Sequence, residues 1–280
     1  MRGAAALLCL ALLAPVGAHA QFNLNRLIDA AKNLGQASTE IDENQEIEIG
    51  RDIAATLLGA APLVPDEVTQ RYVNHVGRWL ASQTERPDLP WQFGVLDAPQ
   101  VNAFAAPGGF VFITRGLLAR MRSEAELAGV LAHESAHVLK KHHLNAIQKN
   151  ARAGLAAEAL SLALRDRNSA VRDRLVAFGT EMYARGLDKG DELEADRLGI
   201  VIAARAGYDA YGLPSVLQML QAMNPEDSGL ALMFKTHPSP AERLGSIEQG
   251  MQPLLDAYGG QPQLAERFSA GTALRQPAKQ

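Results

Sequence analysis

Residues 128–145, AGVLAHESAHVLKKHHLN, carry four histidines and one glutamate. Within them, His133-Glu134-Ser135-Ala136-His137 sets two imidazoles four residues apart with a carboxylate beside the first. On a helix, positions i and i+4 lie about 40° apart around the axis, so His133 and His137 project from one face. Two nitrogens placed this way can meet one zinc ion at about 2.0–2.1 Å. Glu134, one step round, falls on the side where a coordinated water would sit. Zinc lowers the pKa of such a water toward roughly 7, and the neighbouring carboxylate can pass its proton to a leaving amine. From the pentapeptide alone, the polar side of a solvent-facing helix is a competing reading. Its apolar flanks, Leu127, Val130, Leu131 and Val138, turn it inward, where His and Glu need partners that a metal supplies.

A catalytic zinc takes a third protein ligand. In metzincins a glycine three residues after the second histidine lets the chain leave the helix, so that a third histidine swings back. That position is Lys140 here, so the helix is expected to run on. His142 and His143 then lie about 140° and 240° round from His137, in a solvent-facing cluster at the helix end. The better candidate is in DELEADRLG, residues 191–199. Glu192 and Asp196 are i and i+4 on a new helix and share a face. Glu192 can be the third ligand, and Asp196 can hold the outer N–H of a ligand histidine. On this stretch alone, a solvated acidic face is an equal reading. Glu194 is expected to cap, as the N3 residue of a helix begun by Asp191.

The elements that must position these groups follow from the rest of the 280 residues, 47% apolar, 21% charged and 5% aromatic, a globular composition. Residues 1–20 read as a secretory signal peptide. Arg2 gives the positive n-region, Ala4 to Val16 the apolar h-region, and Ala18-His19-Ala20 the cleavage site. The single cysteine, Cys9, lies inside it, so no disulfide is expected in the mature chain. A net charge of −4 and the absence of Lys/Arg runs argue against nucleic acid. No later stretch approaches 18 apolar residues; Ala153 to Leu164 reads as an Ala/Leu-rich core helix.

Residues 21–44 are a polar leader, and Gln45 to Gln83 is helical apart from a turn between Pro62 and Pro65. Residues 91–99 and 108–116 read as short strands with VNAFAAP between them. Ser123 and Glu126 form a capping box that starts the His133 helix. Helical patterns continue through 151–185, and a later helix ends near Gly207. Another starts at Ser239-Pro240-Ala241-Glu242, and the last twenty residues are polar and peripheral. The expected class is α+β, mostly α, in one domain with a small sheet.

His133-Glu134-x-x-His137 with Glu192-x-x-x-Asp196 resembles the gluzincin peptidase family of HtpX, the CAAX prenyl endopeptidases and the periplasmic proteases BepA and LoiP. QEIEIGRDIAATLL (45–58), YVNHVGRWLA (72–81), VNAFAAPGGFVFITRGLL (101–118) and THPSPAERL (236–244) extend the likeness over about residues 40–255. A helical-repeat domain like that of BepA is not expected within these residues. The resemblance implies a zincin-like metallopeptidase domain over 45–255 and a C-terminal tail over 256–280. Its ligands for one Zn²⁺ are His133, His137 and Glu192, with Glu134 as general base and Asp196 behind a ligand. It further implies an edge strand at Asn102, Ala103 and Phe104 that flanks the active-site helix and receives an extended peptide. His237 reaches the zinc or the oxyanion, as a fourth ligand in a latent state, and Arg243 supports developing charge. The activity implied is an exported, periplasmic zinc endopeptidase in envelope protein quality control. Its substrates are unfolded or misassembled envelope proteins, and it associates peripherally with the outer membrane or its assembly machinery. Rival readings are a zinc-stabilised chaperone, which needs the ligands but not Glu134, and a hydrolase of non-peptide amides with a deep closed pocket.

Overall fold

The computed structural model describes residues 41–154, 186–224 and 229–272. The signal peptide, leader residues 21–40, nearly all of the Ala/Leu-rich segment, residues 155–185 of the helical stretch and the tail beyond 272 lie outside the described residues.

The first helix, α1, spans Glu43–Ala60. A reciprocal cap starts it: the Gln45 N–H donates to Asp42 Oδ1 (2.9 Å) and the Asp42 N–H to Gln45 Oε1 (3.0 Å). It ends just before Pro62, as expected. Helix α2, Glu67–Ala81, is capped by Asp66 and buries Val73, Val76 and Leu80, the i, i+3, i+7 face read from the sequence. Three strands follow: β1 Gln92–Leu96, β2 Ala103–Ala106 and β3 Phe110–Thr114. Their order is β1-β3-β2, with β1 parallel to β3 (Phe93 beside Val111) and β2 antiparallel to it (Phe104 beside Phe112). The segment between the two expected strands is thus itself a strand, and it forms an edge of the sheet.

After the single turn α3, Arg115–Leu118, comes the central helix α4, Glu124–Leu139. Ser123 caps it by accepting from the Glu126 N–H (3.2 Å). The Glu126 carboxylate does not close the box; it accepts from the backbone N–H and guanidinium of Arg122 (2.7 and 2.9 Å). Leu127 and Leu131 are fully buried, each contributing about 1.5–3 kcal/mol of apolar burial.

The helix does not run on through Lys140 and Lys141. It stops at Leu139, Lys141 takes a left-handed conformation (φ 56°), and α5, His142–Gly154, starts anew. That conformation costs a non-glycine residue about 1–2 kcal/mol. A tertiary contact opposes the cost: Lys141 Nζ lies 3.2 Å from Oε2 of Glu46, a fully buried carboxylate on α1.

Helix α6, Lys189–Arg205, packs along α4. It passes close to α4 at Gly199, where a Cβ would sit 2.8 Å from both Cα and N of His133. It begins after Asp188, three residues before the expected cap at Asp191, so Glu194 lies beyond the first turn and does not cap. It ends as expected: Gly207 has φ 86°, its N–H donates to Ala204 O and that of Tyr208 to Ala203 O, both at 3.0 Å. Helix α7, Gly212–Gln221, also packs on α4, and the short α8 spans Ala231–Thr236. Helix α9, Pro240–Tyr258, has Ser239 as cap and Pro240 in its first turn, as read from the sequence. Among the last twenty residues, those from 265 to 271 are not peripheral. Helix α10, Ala265–Gly271, buries Phe268 edge-on to Tyr72 (centroids 6.5 Å apart) and pairs Arg267 with the buried Glu124. No helix of the described residues is long and apolar enough to cross a membrane.

Candidate metal centre and active site

Helix α4 brings His133 and His137 onto one face, with their Nε2 atoms 3.2 Å apart. Helix α6 carries Glu192 to them: its carboxylate oxygens lie 3.8 Å from His133 Nε2 and 3.7 Å from His137 Nε2. All three side chains are buried. Zinc bonds of about 2.0–2.1 Å in tetrahedral geometry place ligand atoms about 3.3–3.4 Å apart, so small adjustments would let this triad fit the ion. Two imidazole nitrogens and one carboxylate are also a zinc donor set. His237, following α8, lies beside the triad: its Nδ1 is 2.7 Å from Glu192 Oε2. His133, Glu192 and His237 form an overlapping group whose ligand atoms lie within 4.8 Å of one another. The triad with His137 draws its three residues from α4 and α6, two helices packed along each other.

Each histidine of α4 is held from behind. His133 Nδ1 is 2.9 Å from Asp196 Oδ1. Arg243, buried in the first turn of α9, donates to both oxygens of Asp196, Nε at 2.9 Å and Nη2 at 2.5 Å. The 3.3 Å contact between Arg243 Nη2 and His133 Nδ1 follows from two donors sharing one acceptor. On the other side, His137 Nδ1 is 3.0 Å from His142 Nδ1, and His142 Nε2 is 3.4 Å from Glu194 Oε2. His142 is therefore buried behind His137. His143 lines the cleft with Glu134, His137 and Glu192, its ring centroid 5.5 Å from that of His137. The expectation that both point to solvent required an unbroken helix. The turn at Lys141 removes it, and no signal within residues 139–143 announces that turn.

Burial sets the electrostatics. It pushes Glu134 above the usual carboxylate range, against the charges of His133 and His237. Burial also pushes His137 well below its ordinary value, and His143 down to about 3. Glu192 resists it: the charge and hydrogen bond of His237, with the charges of His137 and His133, hold its carboxyl low. Asp196 is likewise held low despite burial, by Arg243 first and His133 second. His237 is raised above its ordinary value, because Glu192 outweighs the desolvation that would lower it.

The cleft beside Glu134 has β2 as one wall, with Asn102, Ala103, Phe104 and Ala105 among its lining. Asn102 is buried; its Oδ1 accepts from the Ala103 N–H (3.0 Å). Its Nδ2 is the one buried side-chain polar atom without a hydrogen-bond partner among the described residues. A neighbouring hollow is lined by His133, Glu134, His237, Arg243 and apolar side chains including Leu217 and Met233.

Comparison with known proteins supplies the family. The pattern of Peptidase family M48 matches residues 67–250. The chain is 29% identical over 272 residues to the beta-barrel assembly-enhancing protease of Yersinia pestis, covering 86% of this chain and 56% of that one. It is 30% identical over 224 residues to the protease of the same name from Escherichia coli K12, covering 77% and 46%. Mitochondrial metalloendopeptidase OMA1 of Schizosaccharomyces pombe is 32% identical over 183 residues, covering 65% and 52%. The chain thus spans about half the length of these curated relatives. The match runs from α2 into α9 and contains every residue of the candidate centre from Asn102 to Arg243. By this match the chain belongs to peptidase family M48.

Proposed function

We propose that this protein is an exported zinc metalloendopeptidase of the periplasm. One observation carries the reading: a buried glutamate, Glu134, adjoins two imidazoles and a carboxylate at zinc-ligand spacing, beside a cleft walled by a sheet edge. His133, His137 and Glu192 would hold the ion. Bound zinc would supply Lewis acidity and water of lowered pKa. Glu134 accepts the proton of the attacking water and delivers it to the leaving nitrogen, a transfer that its place beside the two imidazoles in the cleft allows. Asp196 fixes the tautomer and orientation of His133. Arg243 spends Nε and Nη2 on Asp196, and its charge sits on the wall shared with Glu134 and His237, where it supports developing negative charge.

The substrate lies extended along β2, on the side away from β3, with Asn102, Ala103 and Phe104 as its contacts. The orphan Nδ2 of Asn102 supports a ligand-facing role for this corner, because an unmet buried donor costs about 1–3 kcal/mol. The contact between His237 and Glu192 supports latency: while His237 holds that carboxylate, the third ligand is shared. By similarity to proteases named for beta-barrel assembly, the substrates are unfolded or misassembled envelope proteins, met at the outer membrane or its assembly machinery.

Metal analysis and casein cleavage test this together. Wild type should bind one zinc per chain and cleave. Glu134→Gln should keep the zinc and lose cleavage, and His237→Ala should cleave faster. Full cleavage by Glu134→Gln refutes the peptidase mechanism. Full cellular function of Glu134→Gln without cleavage would instead mark a zinc-stabilised binder.

A further inference from the structure

The contacts of His142 extend the centre beyond the residues already given roles. We infer that His142 is a positioning residue, which, together with Glu194, fixes the metal-binding tautomer of His137 from behind. The inference rests on the proposed ligand set of His133, His137 and Glu192.

Tautomer logic gives the contact a direction. A neutral imidazole carries one N–H. If Nε2 of His137 is to bind zinc, its proton must sit on Nδ1. That nitrogen is 3.0 Å from Nδ1 of His142, so His137 donates and His142 accepts. His142 then carries its own proton on Nε2, and that nitrogen faces carboxylates: Glu194 Oε2 at 3.4 Å and Asp191 Oδ1 at 3.7 Å. The reverse direction would put the proton of His137 on Nε2, where a metal must bind. Only one polarity of the chain His137, His142, Glu194 is compatible with a ligand. A neighbour that accepts at Nδ1 and is itself polarised by a carboxylate makes that polarity the stable one.

The placement also explains features left over from the sequence. Lys141 pays for a left-handed turn that carries His142 back behind α4. Helix α6 provides a ligand and both rear supports at two-residue intervals. Glu192 faces the centre, Asp196 supports His133 directly, and Glu194 supports His137 through His142. Glu194 is itself held by Lys140 Nζ at 2.7 Å, which fixes a carboxylate that is otherwise partly exposed.

Zinc affinity is the readout, measured by competition with a chromophoric chelator on protein shown to be folded by circular dichroism. His142→Ala should bind zinc 10–100-fold more weakly than wild type, the usual effect of losing such a partner. His142→Asn puts an amide oxygen near the position of Nδ1, so it should recover most of that loss. A residue that merely filled space would show no such rescue, since Asn is far smaller than His. Glu194→Gln combined with Asp191→Asn should lower affinity by about 3–10-fold. This pair lies on the solvent side and tests the inference even if His142→Ala does not fold. The cobalt-substituted protein should show altered d–d absorption bands in His142→Ala and near-native bands in His142→Asn. Affinities within twofold of wild type for His142→Ala, or for the double variant if that one is unfolded, overturn the inference alone. A wild type that binds no zinc overturns it together with the ligand set.

Discussion

Asp196→Asn is the most informative single change, because one buried carboxylate serves two partners. Its oxygens accept from His133 Nδ1 at 2.9 Å and from Arg243 at 2.9 and 2.5 Å, and both Asp196 and Arg243 are buried. The amide keeps the shape but removes the charge facing the guanidinium. One of its two ends now presents N–H to groups that are donors themselves. Breaking a buried ion pair from one side costs about 3–5 kcal/mol, so the metal-free protein should lose that much in urea unfolding. Zinc affinity should fall separately, by about 10–100-fold, because His133 loses the acceptor that fixes its Nδ1–H. That is about 1.4–2.7 kcal/mol. Adding Arg243→Met distinguishes the two effects. It removes the stranded charge, so stability should return to within about 1–2 kcal/mol of wild type. Zinc affinity should stay low, since His133 still faces a neutral amide. Unfolding of Asp196→Asn within about 1 kcal/mol of wild type, with unchanged zinc affinity, would refute the reasoning. Equal destabilisation of the single and double variants would show that the cost does not come from Arg243.

Three further perturbations probe different layers of the molecule. Gly199→Ala places a Cβ 2.8 Å from backbone atoms of His133, so α6 and α4 must separate; about 1–3 kcal/mol of stability and much of the zinc affinity should be lost, measured by unfolding and metal competition. Glu124 is buried and accepts from Tyr72, Tyr208 and Arg267; burial raises its pKa, but Arg267 and the two tyrosines outweigh it and hold it below 4.5. Its stabilising contribution is therefore complete above about pH 4.5 and is lost as pH falls through the folded value. Glu124→Gln should be less stable by about 1–3 kcal/mol at pH 7, with a shallower loss between pH 5 and 3; identical slopes in the two proteins would count against it. Finally, a ligand that binds only the folded chain adds about 4 kcal/mol at 1,000 times its Kd, so chelation should lower the unfolding midpoint of wild type. The same treatment should leave His133→Ala/His137→Ala unchanged.

Features governed by one turn of helix were legible in the sequence. The four-residue spacing puts His133 beside His137 and Glu192 beside Asp196, because 3.6 residues per turn leaves i and i+4 on one face. Ser239 with Pro240 and Glu242 marked a helix start, and Gly207 a helix end, because those signals are satisfied by neighbours within a few residues. The convergence of α4 and α6 was an inference from chemistry: two imidazoles lacked a third ligand and a distant acidic pair had one to offer.

Where the deciding partner lies elsewhere in the chain, only the folded molecule supplied the answer. Lys140 in place of a glycine argued for a continuous helix, yet the chain turns at Lys141, held by Glu46 on the first helix. That turn places His142 at the rear of His137 and not at the expected surface. Glu194, expected as a capping residue, becomes the carboxylate that His142 meets, and Arg243 donates to Asp196 while it lines the hollow that holds Glu134 and His237. The last residues looked polar, but Arg267 and Phe268 find a buried carboxylate and an aromatic ring waiting on α4 and α2. Local periodicity determines which side chains share a face; the contacts between faces depend on groups far apart in sequence, and those only the tertiary structure decides.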